Sequence, residues 1–361
     1  MNYLILSGLV IGTACLYEYV KSKQEMKKSM ELFFYVSICL ILCIFAGLRT
    51  RYNDTPAYMQ TFEYTPQKFS SLFSNEFSIS EVYLFKIWNY LIYHGISKNP
   101  QVFLFCSSAF FVFPAIYLIK KYSRDYIFSI ILFMFGGMFL FSLAGLKQVM
   151  ATGVILMGIP ALIKKQYIHY YICCVLALGF HTYSFFFLVV PLLGREVFNK
   201  RTIIFCVTIV LAGVLISYVS SIIKILIEML GKEMSEEKIQ SGSVNVLRAI
   251  VFLVPLVLTI MGAKNLESTT EAEQIFIKFT MLSAVFMVLA LFGNPILFGR
   301  IPQYFLIGTV ITLPVLIEKA FEHEDRSLIA FCAILGYVLF GMYQLYIDGA
   351  FTQDIFQLII F

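Results

Sequence analysis

Charged residues are scarce in this sequence, and their scarcity argues against an ordinary soluble globular protein. Asp, Glu, Lys and Arg make up 14% of the 361 residues, hydrophobic residues make up 60%, and the mean hydropathy is +0.83. Soluble globular proteins have about a quarter of their residues charged. Most of the surface of this protein is therefore expected to face lipid rather than water.

The alternation of apolar and polar residues that marks a membrane-spanning β-strand is also missing. Such a strand alternates over about ten positions, whereas residues 32–48 and similar stretches are continuously apolar. We predict an all-α polytopic membrane protein, a single transmembrane domain over residues 1–361, with about 12 transmembrane or re-entrant helices. The pair 167–180 and 183–194 is too short for two full crossings and is predicted to be a broken or re-entrant hairpin. The predicted segments are residues 3–20, 32–48, 99–119, 126–144, 146–163, 167–180, 183–194, 202–222, 249–263, 274–292, 301–317 and 327–346.

Sequence signals for a metal ion or for nucleic acid are absent as well. The eight cysteines all lie inside hydrophobic stretches, without a CxxC or Cys/His ligand spacing, and there is no DxD motif. The net charge of +5 comes from Lys and Arg scattered at helix ends rather than clustered on one soluble face. We therefore expect no metal, no cofactor and no nucleic acid partner.

The distribution of Lys and Arg predicts the orientation, because cytoplasmic connections carry the excess of positive charge. With the N-terminus outside, 15 of the 27 basic residues fall in short cytoplasmic connections, and 11 fall in outer connections of more than twice the total length. Both termini are predicted to lie outside. The long outer loop 49–98 is predicted to contain a helix lying at the membrane interface, and the other long outer loop, 223–248, is predicted to form a second interfacial lid.

Several polar residues gather at the predicted outer ends of the spans. One at a time, such residues are commonly interfacial anchors, with Arg and Lys reaching for water and Tyr lying among headgroups. The set favours a binding site, since outer connections should be poor in positive charge. Arg49, Arg51, Asn53, Asp54 and Tyr58 follow the second span, Lys147 and Gln148 begin the fifth, His181 is at the hairpin tip, and Arg300, Gln303 and Tyr304 begin the eleventh.

Cations at an outer membrane boundary suit a lipid-linked phosphate or diphosphate. Guanidinium groups make forked, charge-assisted hydrogen bonds to phosphate oxygens, and ammonium groups add point charge. Such a cluster would stabilise a leaving diphosphate as its charge develops. Asp54 and His181 are the nearby candidates for taking a proton from a sugar hydroxyl, and the residues alone do not decide between them.

Four segments that carry these residues resemble the EpsG family of exopolysaccharide polymerases, which is similar to the wider Wzy-type polymerases of O-antigen and capsule. They are AGLRTRYNDTPAY (46–58), LKQVMA (146–151), GFHTYSFFFL (179–188) and GRIPQYF (299–305), in the family's order. The second segment departs from the usual Arg-Gln pair. Lys147 cannot make a planar two-pronged contact, although it can still neutralise charge.

The resemblance implies a GT-C-like glycosyltransferase of the bacterial cytoplasmic (inner) membrane. It would join oligosaccharide repeat units carried on undecaprenyl diphosphate at the outer face, without nucleotide sugar, cofactor or metal. Its partners would be that lipid-linked oligosaccharide, the lipid bilayer, and a chain-length regulator and a flippase of the same pathway. Asp54 and His181 would be catalytic, and the substrate or diphosphate contacts would be Arg49, Arg51, Asn53, Tyr58, Lys147, Gln148, Arg300 and Tyr304.

Three alternatives stay open. A ligase would move the glycan to a different acceptor by the same chemistry. A flippase of the lipid-linked glycan should carry polar residues through the depth of several spans, whereas here only Lys278 falls mid-span. An acyltransferase could use His181, but it would need a carrier site on the cytoplasmic side, where no comparable cluster occurs.

Overall fold

Helices make up most of the described residues, which include no β-strand. The structure, a computed structural model, describes residues 2–23, 25–73, 82–194, 196–218, 229, 244–292 and 298–349. The α-helices, in chain order, are α1 Asn2–Lys23, α2 Lys28–Leu48, α3 Thr55–Glu63, α4 Tyr83–Gly95, α5 Pro100–Tyr122, α6 Tyr126–Phe135, α7 Met138–Ser142, α8 Leu146–Ile163, α9 Tyr167–Leu178, α10 Lys200–Tyr218, α11 Val246–Met261, α12 Glu271–Phe292, α13 Ile301–Phe305, α14 Ile307–Ala320 and α15 His323–Ile347. Three 3₁₀ segments add to them, at Phe69–Phe73, Thr182–Leu193 and Ala263–Ser268.

Within the described part of the chain, seven helical segments are long and apolar enough to cross a membrane. Each has the length that about 30 Å of hydrocarbon requires, and a helix is suited to lipid because its backbone groups bond internally. The prediction of an all-α, polytopic membrane protein is confirmed at this level. The seven are Asn2–Lys23, Lys28–Leu48, Pro100–Tyr122, Leu146–Ile163, Glu271–Leu291, Ile301–Ala320 and His323–Ile347; Tyr126–Phe135, Tyr167–Leu178, Thr182–Leu193 and Val246–Met261 are shorter apolar helices.

The helices are packed antiparallel, which places their connections at two ends of the bundle. At one end, which we call the Arg49 end, Gln101 at the start of α5 donates to the Arg49 carbonyl after α2, at 3.2 Å. At the other, the Arg124 end, the turn after α5 reaches the start of α12, where Arg124 bonds Glu273 at 2.6 Å. All the polar segments predicted to form one site lie at the Arg49 end.

Two predicted segments depart from straight α-helix. The segment predicted as one span over 126–144 is broken, because α6 ends at Phe135 with Gly136 as its C-cap residue, and Gly137 takes a φ of 92° before α7 begins. This left-handed conformation costs glycine little and would strain other residues. The second leg of the predicted hairpin, Thr182–Leu193, is 3₁₀, and Tyr170 of the first leg donates to the Phe187 carbonyl at 2.8 Å.

Glycines let several helices approach each other closely, as is common in membrane bundles. A Cβ built on Gly153 of α8 would lie 2.0 Å from the carbonyl oxygen of Phe110 in α5. One on Gly308 of α14 would lie 2.5 Å from the carbonyl oxygen of Phe276 in α12. These contacts hold α5, α8, α12 and α14 in the buried centre of the bundle.

The two long loops are described to different extents. In the loop 49–98, the helix predicted from EVYLFKIWNYLIYHGI is present as α4, and α3 precedes it. In the loop 223–248, the predicted lid lies outside the described residues apart from Met229 and residues 244–248. Helix α11 begins at Val246, three residues before the predicted span.

Candidate functional site

Arg49 lies at the C-terminal end of α2 and is completely buried. Its Nε donates to the Thr55 hydroxyl at 3.1 Å and its Nη1 donates to the Ala46 carbonyl, while its buried Nη2 has no hydrogen-bond partner among the described residues. Burial lowers the pKa of Arg49 to about 10 and the nearby Tyr58 and Tyr52 raise it, so the side chain stays charged at neutral pH. A buried charged donor that has no hydrogen-bond acceptor destabilises the folded protein.

Tyr58 brings the predicted groups together. Burial and the Asp54 charge raise its pKa to about 12, while the backbone N–H of Lys147 and the charges of Arg300 and Arg49 lower it. Its ring packs edge-on against Phe85 of α4, with centroids 5.9 Å apart. The Tyr58 side chain therefore lies within electrostatic reach of two arginines that are 251 positions apart in the sequence.

Lys147 and Gln148 begin α8 directly beside this tyrosine. The Lys147 ammonium lies 5.2 Å from the centre of the Phe85 ring, in cation–π range. Gln148 is buried, and its Nε2 donates to the Arg300 carbonyl at 2.7 Å. Its Oε1 is buried with no hydrogen-bond partner among the described residues. The Arg300 guanidinium itself is not hydrogen-bonded to any described residue.

His181 is the N-cap residue of the 3₁₀ segment, and it is partly exposed. Its Nδ1 lies 2.8 Å from the hydroxyl oxygen of Tyr304, which is completely buried. The backbone ties this turn to α4, because the Leu84 N–H donates to the Gly179 carbonyl at 3.0 Å. The histidine is thereby fixed on the side of the cluster next to Arg300 and Tyr304.

The exposed members of the predicted set lie around this cluster. Asp54 is the N-cap residue of α3, but its side chain makes no capping hydrogen bond. Arg51 is exposed and makes no hydrogen bond or ion pair with the described residues. Asn53 has a φ of 44° and faces a separate cavity, which it shares with the buried Gln303.

The arrangement combines cationic donors with two proton acceptors of different kinds. Arg49, Arg300 and Lys147 can neutralise an anion, and the histidine ring is held by a neutral hydroxyl. Within the described ranges, no three His, Cys, Asp or Glu side chains are placed to share a metal ion. The roles predicted for these residues, and the absence of a metal or cofactor, stay predictions.

Tertiary packing also adds residues that were missed in the sequence. Tyr52, Arg248 and Asp348 line the cavity that Asn53 and Gln303 share. Arg248 and Asp348 are charged residues at a span end on the Arg49 end, which is the same signal that singled out Arg300. They were overlooked because no recognisable segment surrounds them.

A family model matches residues 32–358, nearly the whole chain, and its description is the EpsG family. No curated protein and no solved structure gives a significant match. The match confirms the resemblance drawn from the four short segments. The chain belongs to the EpsG family, which is a family of Wzy-like polysaccharide polymerases.

Proposed function

We propose that this EpsG family protein is a membrane glycosyltransferase that polymerises undecaprenyl-diphosphate-linked oligosaccharide repeat units into an exopolysaccharide, capsule or O-antigen chain. Family membership supports a polymerase role in general. The lipid diphosphate is inferred from the site, where two arginines and a lysine meet around Tyr58. The observation that carries it is the buried Arg49 Nη2, a charged donor for which no described residue supplies an acceptor.

In the proposed step, a hydroxyl of the acceptor sugar attacks the anomeric carbon of the donor glycan. A new C–O bond forms as the bond between that carbon and the diphosphate oxygen breaks, and undecaprenyl diphosphate leaves with the electron pair. Arg49, Arg300 and Lys147 stabilise the negative charge that develops on the diphosphate. The proton of the attacking hydroxyl passes to a base of the protein.

His181 and Asp54 are the two candidates for that base. The contact between Nδ1 and the Tyr304 hydroxyl allows the tautomer in which Nδ1–H donates, and in that tautomer the lone pair on Nε2 would take the proton. The hydrogen bond also fixes the ring, whereas the Asp54 carboxylate is exposed and makes no capping bond. We therefore assign the base role to His181 and an electrostatic role to Asp54.

The fold we propose in full has about 12 transmembrane or re-entrant helices in a GT-C-like arrangement, with α3 and α4 at the interface. The Arg49 end would face outward from the bacterial cytoplasmic membrane, as the excess of basic residues at the Arg124 end favours. Exposed lysines at each end allow a test. Lys98→Cys at the Arg49 end should react with an impermeant maleimide in intact spheroplasts, and Lys264→Cys at the Arg124 end should react only after lysis.

The decisive experiment uses purified protein in liposomes with the undecaprenyl-diphosphate-linked repeat unit, with EDTA and without nucleotide sugar. We expect a ladder of longer lipid-linked products on a gel. Movement of the substrate across the bilayer without elongation would identify a flippase instead. Transfer that occurs only after a different acceptor is added would identify a ligase. The absence of both elongation and transfer would overturn the proposal.

A further inference from the structure

A polar cavity of about 230 Å³ lies at the Arg49 end beside the cation cluster. Its walls come from the loop before α3, the break between α6 and α7, and the ends of α11, α13 and α15 that lie at this end. It is smaller than the roughly 300–1,000 Å³ typical of sites for drug-sized ligands. It therefore suits a small group rather than a lipid chain.

The polar lining of the cavity pairs one cation with one carboxylate. Arg248 projects from the first turn of α11, with its guanidinium carbon 5.9 Å from the centre of the Phe252 ring. The Tyr52 hydroxyl donates to Asp348 Oδ2 at 2.8 Å. Burial raises the pKa of Asp348, while the Tyr52 hydrogen bond and the Arg248 charge lower it, and the net direction is upward.

Amides and aromatic rings complete the lining. Gln303 is buried and Gln344 partly buried, and both supply a donor and an acceptor to the cavity. Phe141, Phe252 and Phe340 form apolar walls. A sugar ring presents hydroxyl groups at its edge and C–H groups on its faces, so amides, a carboxylate and a guanidinium together with aromatic rings are well matched to it.

The charges that line the cavity favour a sugar over a second diphosphate as its ligand. Asp348 would repel an anion in this cavity, and among the described residues that line it Arg248 is the one cation. A neutral hydroxylated ring can instead accept hydrogen bonds from Arg248 and donate them to Asp348 without leaving either charge unpaired. The cation cluster around Tyr58, by contrast, has cations in excess.

We propose that this cavity binds one sugar ring of the lipid-linked glycan, with Arg248, Asp348 and Gln344 as its hydrogen-bonding contacts. This inference rests on the proposed polymerase function. Asn53 and Gln303 place the ring next to the cluster, because Asn53 directly precedes Asp54 and Gln303 directly precedes Tyr304. A ring held there lies beside the proposed diphosphate site, and it orients the glycan for transfer.

The test measures binding of the repeat-unit oligosaccharide released from its lipid diphosphate, by saturation-transfer NMR on the purified full chain. Asp348→Asn, Arg248→Gln and Gln344→Ala should each weaken this binding 10-fold or more. Binding of undecaprenyl diphosphate without sugar should change less than 2-fold. The control is Arg201→Gln, which removes an exposed arginine at the Arg124 end and should leave both affinities unchanged.

Wild-type affinity for the oligosaccharide in all three folded variants would overturn the proposal. An equal loss of undecaprenyl diphosphate binding would overturn it too, because the residues would then hold the diphosphate or the fold. Gln344→Ala keeps the test decisive if either charge variant fails to fold. A wild-type protein that binds the oligosaccharide through these residues and yet does not elongate the lipid-linked substrate would support the sugar site and contradict the proposed polymerase function.

Steady-state elongation distinguishes the two sources of the sugar. The three cavity variants are assayed with a long lipid-linked donor and a single-repeat acceptor. A 10-fold rise in KM for the acceptor alone, relative to wild type, would place the acceptor's sugar in the cavity. A rise for the donor alone would place the donor's sugar there. Unchanged KM for both substrates would overturn the proposal.

Discussion

Replacing Arg49 with lysine tests the diphosphate site while keeping the charge. The native guanidinium uses Nε for Thr55 and Nη1 for the Ala46 carbonyl, which leaves Nη2 for a ligand. A lysine ammonium cannot reproduce the three hydrogen-bond directions of the guanidinium, so the bond from Nη2 to a phosphate oxygen is lost. Because the side chain is completely buried, solvent would weaken that bond little.

The size of the loss follows from the kind of bond. A hydrogen bond to a charged partner contributes about 1.5–3 kcal/mol, which corresponds to roughly a 10- to 150-fold change. We expect Arg49→Lys to lower kcat/KM for elongation of the lipid-linked repeat unit by that factor. Arg49→Met, which removes the charge as well, should lower it further.

The assay is the liposome elongation reaction, with rates normalised to the folded fraction from size-exclusion chromatography. Thr55→Val is the matched control, because it removes one hydrogen-bond partner that holds the Arg49 side chain in place and keeps the guanidinium. It should cost less activity than Arg49→Lys. Wild-type kcat/KM in well-folded Arg49→Lys and Arg49→Met would refute the assignment of Arg49 to the diphosphate.

Three further substitutions test the histidine, the packing and the ion pairs. Tyr304→Phe removes the hydroxyl that holds His181. A neutral hydrogen bond contributes about 0.5–1.5 kcal/mol, so the change should lower kcat about 2- to 12-fold with KM unchanged. An unchanged kcat and pH profile would count against the base assignment. Gly153→Ala should destabilise the protein by about 1–3 kcal/mol in thermal melts, because its Cβ would overlap a carbonyl of α5, whereas Gly336→Ala, with nothing within 4 Å, should be neutral or stabilising. Arg124→Gln should cost about 1–2 kcal/mol of stability, since its ion pairs with Glu273 at 2.6 Å and with Glu318 at 2.5 Å are partly exposed. It should leave elongation per folded molecule intact, and a loss of activity at full stability would contradict this.

The positions of the apolar helices could be predicted from the sequence because hydropathy and length are local properties. The helices predicted at 32–48, 146–163 and 274–292 are present within a few residues. The break at Gly136 and Gly137 was missed, since apolar residues continue through it and two glycines also fit a straight, closely packed helix. The break is seen only in the structure, where Gly137 takes a φ of 92° and a Cβ on Gly136 would lie 2.5 Å from the Leu132 carbonyl oxygen.

The residues of the candidate site divide in the same way. Arg49, His181 and Arg300 could be found from the sequence, because a charged or titratable side chain at a span end is conspicuous in an apolar chain. The sequence predicted only that they share one end of the protein, and their contacts with Tyr58 and Tyr304 come from the tertiary structure. The sequence by itself determined the helical membrane class and the chemistry available at one end. Tertiary structure decided which side chains touch, and it brought Arg248 and Asp348, 100 positions apart, to one cavity through contacts that no local pattern encodes.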